Sequence, residues 1–197
     1  MRVIGLPIRT PLIRQKTRIL PPDEYRALRA ALRTRHKVLL DGMLFTGMRG
    51  EEFWRFLQHP EWFDHDRGVI HLPPAAMLKK KAKQIERDIY LSNWGLTVIE
   101  RLFDYELQKI SRISWRATLI RASKRANLSP RGITPKMTRK TWESWLVASY
   151  PAMTLQIALS QGHSSLTALN HYVNIAFSLS ETLEMKKYVT GFCGLSV

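Results

Sequence analysis

The chain holds one cysteine, Cys193, in 197 residues. No intramolecular disulfide and no thiolate metal cluster can form, which suits a reducing compartment and a cytoplasmic setting. No apolar run approaches the length that crosses a bilayer, so no membrane association is expected. Acid is scarce, with 16 Asp plus Glu against 31 Lys plus Arg, a formal net charge of +15 and a pI near 10.4. No acid precedes Asp23, and Arg2, Arg9, Arg14, Lys16 and Arg18 load that first stretch. It lacks the continuous apolar core of a secretory signal, and Pro7, Pro11, Pro21 and Pro22 break the amphipathic helix of a transit peptide. A Walker phosphate loop, a GxGxxG turn, an HExxH helix and paired-cysteine zinc spacing are all missing. Asp64, His65 and Asp66 bunch together, but the nearby Gly68 favours a turn over a metal site. No cofactor or metal is expected.

What is present is positive charge on an ordinary globular frame. The apolar fraction is 45%, and the length suits one domain, with or without an arm, that buries its own core. Excess cations favour a polyanionic partner, whose condensed counterions they displace. The plainer readings are a generally solvated basic surface or an acidic protein partner.

Pro21-Pro22-Asp23-Glu24 predicts a helix start, with acids in the first turn favoured by the helix dipole. Tyr25, Leu28 and Leu32 follow at helical spacing, and a second helix is expected over 38–45. Gly47 interrupts it and allows a tight bend before Arg49, after which Phe53, Trp54, Phe56 and Leu57 predict a buried helix. Residues 62–91 read as β: a turn at Asp66-Arg67-Gly68, a strand with Val69, Ile70 and Leu72 limited by Pro73 and Pro74, and a returning run with Ile85, Ile89 and Leu91. Leu96, Ile99, Leu102, Phe103 and Leu107 predict one apolar helical stripe, and another helix is expected over 111–126. Thr134-Pro135 predicts a cap with a first-position proline, and Pro151 stops the helix that follows. Short helices are expected over 154–160, 165–172 and 180–188. The fold class is therefore mainly α with a small antiparallel β-sheet (α+β). A basic arm over 1–21, a domain over 22–177 and an amphipathic tail over 178–197 complete the organisation.

The densest chemical signal is Gln161-Gly162-His163-Ser164-Ser165, running on through Leu166-Thr167-Ala168-Leu169-Asn170-His171 to Tyr172, nine residues after His163. Upstream lie Thr46-Gly47-Met48-Arg49-Gly50-Glu51-Glu52-Phe53 and Lys136-Met137-Thr138-Arg139. Two arginines, a histidine and a late tyrosine in this order suggest a hydroxyl that attacks a phosphodiester while cations hold the phosphate. Charge then builds on the nonbridging oxygens, and fixed cations aimed at them counter it. Arginine suits the task because its planar fork reaches two oxygens and stays charged. A tyrosine hydroxyl, with an ordinary pKa of about 10, needs nearby cations or a base. Each residue alone has a plainer reading: a surface arginine or one paired with Glu51 or Glu52, a loop histidine, a core aromatic.

The set resembles the tyrosine recombinase (integrase) family. Its signature is an arginine in a TGxRxxE-like turn, a lysine on a β-hairpin, HxxR, and GH followed nine residues later by Tyr. The resemblance runs from about residue 22 to 173 and implies that family's catalytic-domain fold. It implies Arg49 and Arg139 as phosphate ligands, His163 as a phosphate hydrogen-bonding group and Tyr172 as nucleophile. The general acid for the departing 5′ oxygen is a hairpin lysine. Lys81 aligns best, Lys83 and Lys80 come next, and together with Lys79 they also form a phosphate-attracting loop. Lys136 stands where the family usually has histidine; it is read as an active-site group, with an ordinary first-turn surface charge as the alternative. The product would be a covalent 3′-phosphotyrosyl link and a free 5′ hydroxyl, needing neither metal nor ATP.

Arg112, Arg116, Arg121, Lys124 and Arg125 load the helix before Lys136 and suggest contact with the DNA backbone, a solvated face being the plainer reading. The resemblance implies double-stranded DNA as partner, a monomer when free and a tetramer on DNA. The implied activity is integration or excision of a viral or other mobile element. Rival readings are a type IB topoisomerase-like enzyme and a DNA-binding or synapsis module without catalysis. Family members usually carry an N-terminal core-binding domain. With a short arm before the catalytic motifs, the chain is either a fragment or a minimal enzyme that grips DNA through one domain, and without a full clamp weaker and more salt-sensitive binding is expected. The amphipathic tail docks either on its own domain or on a neighbouring protomer.

Overall fold

The computed structural model describes residues 10–76, 86–163 and 175–194. Two short strands, β1 (Ile13–Arg14) and β2 (Thr17–Arg18), pair antiparallel at the N-terminal edge. Over its described residues the basic N-terminal stretch is thus folded back on the domain. The Arg18 side chain is buried, donating to both carboxylate oxygens of Glu24 at 2.9 and 2.7 Å and to the Ser129 carbonyl at 2.5 Å. A buried guanidinium needs acceptors of this kind, and Nε, Nη1 and Nη2 each find one.

Helix α1 (Pro22–Ala30) begins with a first-turn proline and carries Asp23 and Glu24 there, as the sequence predicts. Helix α2 (Thr34–Thr46) starts earlier than expected, and its second half, from Leu39 onward, is buried. It ends on Gly47 in the left-handed region at φ 61°, and α3 (Gly50–Phe56) follows. The antiparallel sheet has the order β3 (Phe63–Asp64), β4 (Val69–Leu72), β5 (Arg87–Tyr90), with Ile70 opposite Ile89. Ile70, Leu72 and Ile89 point into the core while His71 and Asp88 point out, the period-2 pattern of a half-buried sheet. The Asp64 carboxylate accepts the Arg67 N–H within the intervening turn.

The stripe expected to be one helix divides. Helix α4 (Asn93–Glu100) ends at Arg101, and two 3₁₀ turns, Leu102–Asp104 and Leu107–Lys109, follow. The buried positions Ile99, Leu102, Leu107 and Ile110 explain this, because the five-residue step from 102 to 107 does not keep one side of an α-helix on the core. Helix α5 (Arg112–Arg125) buries Trp115 and Leu119, leaving its basic residues exposed.

Helix α6 (Lys136–Ser149) is the spine of the domain. Met137, Trp142, Trp145 and Leu146 are fully buried against α2 and the C-terminal helix. Trp145 donates its indole N–H to the Leu20 carbonyl at 2.9 Å, and Thr141 accepts the Leu20 N–H at 3.0 Å, tying the N-terminal hairpin to the core. The expected Thr134 cap does not form: Pro135 holds the cap position, and the Thr134 hydroxyl is buried without a partner among the described residues. After α7 (Thr154–Ser160), helix α8 (Leu179–Val189) packs on α6, α4 and α1 of its own domain through Met185, Tyr188 and Val189. Leu179 and Leu183 on α8 remain exposed. No helix among the described residues is long and apolar enough to cross a membrane.

Candidate active site

The site is built on the C-terminal end of α7. The Gly162 N–H bonds the Leu159 carbonyl at 2.8 Å, and the His163 N–H bonds the Ala158 carbonyl at 2.9 Å. Together these close a Schellman turn, which needs a left-handed residue at its bend. Gly162 supplies it at φ 67°, and a Cβ there would sit 2.9 Å from the Arg87 guanidinium. The Gly-His pair legible in the sequence is therefore a helix-ending device that sets His163 just beyond α7.

Three consecutive carbonyls emerge from this turn, and each accepts an arginine. Arg87 Nε donates to Ser160 O at 3.1 Å, Arg139 Nη2 to Gln161 O at 2.6 Å, and Arg49 Nη2 to Gly162 O at 2.9 Å. Three separate elements, β5, α6 and the turn after α2, thus bring their cations to one place. The negative end of a helix favours that arrangement. The Arg49 turn is locked to Arg139 as well. Arg139 Nη1 donates to Gly47 O at 3.0 Å, and a Cβ on Gly47 would lie 2.4 Å from Gln161 Oε1 and 2.6 Å from Trp142. Thr46 steadies the same bend by accepting the Met48 N–H at 3.3 Å.

Two buried carboxylates sit beneath the cations. Glu52 Oε1 takes Arg49 Nη1 at 2.8 Å, and Oε2 takes both the Arg49 backbone N–H and Arg87 Nη2 at 2.8 Å. Burial would raise the Glu52 carboxyl, but Arg87 and Arg49 outweigh it and hold the group below the usual carboxylate range. Glu143, one turn after Arg139 on α6, is fully buried; its Oε1 lies 2.8 Å from both Arg139 Nη2 and His163 Nε2. Burial pulls the Arg139 guanidinium below its ordinary value, Glu143 opposes that, and Arg49 adds to it. Arginine nonetheless stays charged at any working pH.

The structure therefore brings Arg49, Arg139 and His163 together. Arg49 is the open member, with its side chain 45% exposed, against 13% for Arg139. Lys136 is exposed in the first turn of α6, one turn before Arg139, without a hydrogen bond or ion pair among the described residues. Tyr172 lies outside the described residues, as do Lys79, Lys80, Lys81 and Lys83. Arg112, Arg116, Arg121, Lys124 and Arg125 are exposed along α5. Arg112 pairs with Glu51 and stacks over Trp54 at 5.7 Å, which sets the start of α5 beside the helix that Arg49 opens.

Sequence reasoning missed Arg87, Glu143 and the Gln161 carbonyl. Arg87 shares the inward parity of Ile89 on β5, so a charge on the buried face was readable. Glu143 is the lone acid in the run Thr141-Trp142-Glu143-Ser144-Trp145, at i+4 from Arg139. Nothing in the sequence marks a carbonyl as a ligand.

The model of the phage integrase family matches residues 18–178. Among solved structures, XerA recombinase aligns with a TM-score of 0.59 and 16% identity over 86% of this chain and 64% of that one. XerH site-specific recombinase in its post-cleavage complex with a palindromic difH substrate aligns at 0.58 and 19%, over 81% of this chain and 50% of that one. The XerH pre-cleavage complex with difH gives 0.57 and 19%, over 78% and 49%. At these identities the likeness is one of fold, and the chain spans 49–64% of the length of those recombinases. Comparison with curated proteins gives no match.

Proposed function

Since the chain belongs to the phage integrase family, we propose that it is a DNA strand transferase that cuts and rejoins duplex DNA at a specific site through a phosphotyrosine link. The Tyr172 oxygen bonds to the scissile phosphorus and gives up its proton. The bond from phosphorus to the 5′ oxygen breaks, and that oxygen takes a proton from a hairpin lysine, Lys81 first among the candidates. Arg49 and Arg139 counter the charge that builds on the nonbridging oxygens, and His163 donates to the same phosphate. Lys136, one turn from Arg139, lies close enough in sequence to share in holding the phosphate or removing the tyrosine proton. Bond energy is conserved in the phosphotyrosyl link, so a 5′ hydroxyl from a second strand rejoins without a nucleotide cofactor. Four protomers on two sites would carry the exchange that integrates or excises a mobile element.

One observation carries this reading: Arg49 and Arg139 are pinned to adjacent carbonyls of the turn that carries His163, immediately before the segment holding Tyr172. Preorganised cations aimed at one point are what phosphoryl transfer without large conformational work requires. The test uses duplexes with a randomised centre and a nick that traps the cleaved strand. Wild-type protein is expected to yield adducts that survive denaturing gels, and Tyr172→Phe none. Adducts from Tyr172→Phe would remove the nucleophile assignment. No adducts from wild type on any duplex would leave only DNA binding. Mixing Tyr172→Phe with Arg139→Ala decides whether the tyrosine serves its own site, since adducts from the mixture alone require donation between protomers.

A further inference from the structure

We infer that Glu143 is a positioning residue of this site, fixing the orientation of Arg139 and the hydrogen-bearing nitrogen of His163. The inference rests on the strand-transfer reading and deepens it, because it concerns the groups that act on the phosphate rather than a new ligand.

Glu143 is 0% exposed and cannot itself meet DNA. Its Oε1 receives Arg139 Nη2 and His163 Nε2, each at 2.8 Å, while those two nitrogens lie 3.3 Å apart. A carboxylate only accepts, so the Nε2 of His163 that faces it carries a hydrogen, and donation to the phosphate requires a second hydrogen on Nδ1. Two donors that would otherwise repel are thereby held side by side by one anion. The guanidinium is also held by Gly47 O and Gln161 O, with Gln161 Oε1 the most distant acceptor at 3.4 Å. Glu143, itself fully buried, supplies the charged contact among these, and such bonds are the stronger ones. A neutral amide at 143 keeps one acceptor but loses the anion, and it sets an N–H₂ among donors. A shorter carboxylate keeps the anion at a longer reach. Outer partners that orient metal-bound histidines and carboxylates commonly contribute about 10- to 100-fold in affinity or activity, and an effect of the same order is expected for a partner that orients an arginine and a histidine.

The experiment compares wild type, Glu143→Gln, Glu143→Ala and Glu143→Asp on nicked duplexes selected with wild-type protein. Single-turnover adduct formation should slow by about 30-fold or more in Glu143→Gln and Glu143→Ala, and recover in part in Glu143→Asp. DNA affinity should stay within about 3-fold of wild type, because Glu143 touches no DNA. In parallel, long-range nitrogen–proton NMR of the free protein should report hydrogen on His163 Nε2 in wild type and a changed tautomer pattern in Glu143→Ala. Folded Glu143→Gln that cleaves within about 3-fold of wild type, with an unchanged imidazole pattern in Glu143→Ala, overturns the inference. Failure of both Glu143→Gln and Glu143→Asp to fold also overturns it, in favour of a purely structural role. Absence of any wild-type adduct defeats the strand-transfer reading instead, and the tautomer measurement then decides alone whether Glu143 governs His163.

Discussion

Among the described residues, two regions handle positive charge in opposite ways. At the end of α7, Arg87, Arg139 and Arg49 are pinned to three successive carbonyls and paired beneath with Glu52 and Glu143. Along α5, the cations stand in solvent; Arg112 alone of the five has a carboxylate partner among the described residues. Pinning costs desolvation, which buried carboxylates and carbonyls offset, and it yields a fixed geometry. Solvated cations keep their freedom and contribute long-range attraction that salt weakens. The first arrangement suits groups that must meet a developing charge in one position; the second suits groups that hold a polyanion without caring where along it they sit.

The sharpest way to break this contrast is to delete one cation from each region. Arg139→Ala is expected to slow adduct formation by about 10²- to 10³-fold, the usual cost of losing a preorganised donor. It should also lower stability by about 3 kcal/mol, because Glu143 is left buried with less compensation. Arg116→Ala should change stability by no more than about 0.5 kcal/mol. Stability from chemical denaturation and single-turnover cleavage check both numbers. Equal losses at the two positions would erase the distinction between pinned and solvated charge.

A smaller effect is expected where the backbone does the pinning. Gly162→Ala must place a side chain at φ 67° and 2.9 Å from the Arg87 guanidinium, so the Schellman turn should weaken by about 1–2 kcal/mol. Gly47→Ala should cost more, since its Cβ would meet Gln161 Oε1 at 2.4 Å and Trp142 at 2.6 Å in addition to the strain at φ 61°. Thermal unfolding gives the order, with Gly47→Ala the lower of the two. Adduct formation should fall in both, because Gly47 O and the carbonyls at 161 and 162 orient the arginines.

How much of this was readable beforehand follows from the kind of interaction involved. Side-chain chemistry with a local signature was legible: the Gly47 bend, the turn before Val69, the 154–160 helix and the Arg49-x-x-Glu52 spacing all appear where the residues indicate. The apolar stripe after Leu96 was misread because its period breaks between Leu102 and Leu107, and burial overrides the average. The shared carbonyl platform was not legible at all. It depends on β5, α6 and the Gly47 turn meeting at α7, and tertiary proximity leaves no mark on a backbone oxygen. Arg87 and Glu143 lie between these cases, being charges on inward faces whose partners only the fold supplies.

Acid separates the two regions again. Glu52 is held below its ordinary value of 4.5 because Arg87 and Arg49 outweigh its burial. The unfolded chain therefore takes up the proton first as pH falls. The stability Glu52 contributes is present in full above that ordinary value and is lost as pH drops through the lower folded value. Between about pH 5 and pH 3 the wild-type melting temperature should fall more steeply than that of Glu52→Gln, which starts lower but has no carboxyl to protonate there. Parallel slopes would mean that the pair beneath Arg49 does not contribute to stability.

The smallest effects belong to α5, and they are read in salt rather than in rate. Arg116 and Lys124 are exposed and make no ion pair among the described residues, so neither holds the fold. If they meet backbone phosphates, each alanine substitution should lower the slope of log affinity against log salt by about 1, and weaken binding about equally on matched and unmatched duplexes. Arg112 should give less, because Glu51 already neutralises it and Trp54 holds it in place. Fluorescence anisotropy between about 50 and 200 mM salt resolves the difference. Once the DNA is bound, cleavage should proceed at the wild-type rate in all three variants. A variant on α5 that binds normally but cleaves slowly would place that cation among the pinned groups and redraw the boundary between the two regions.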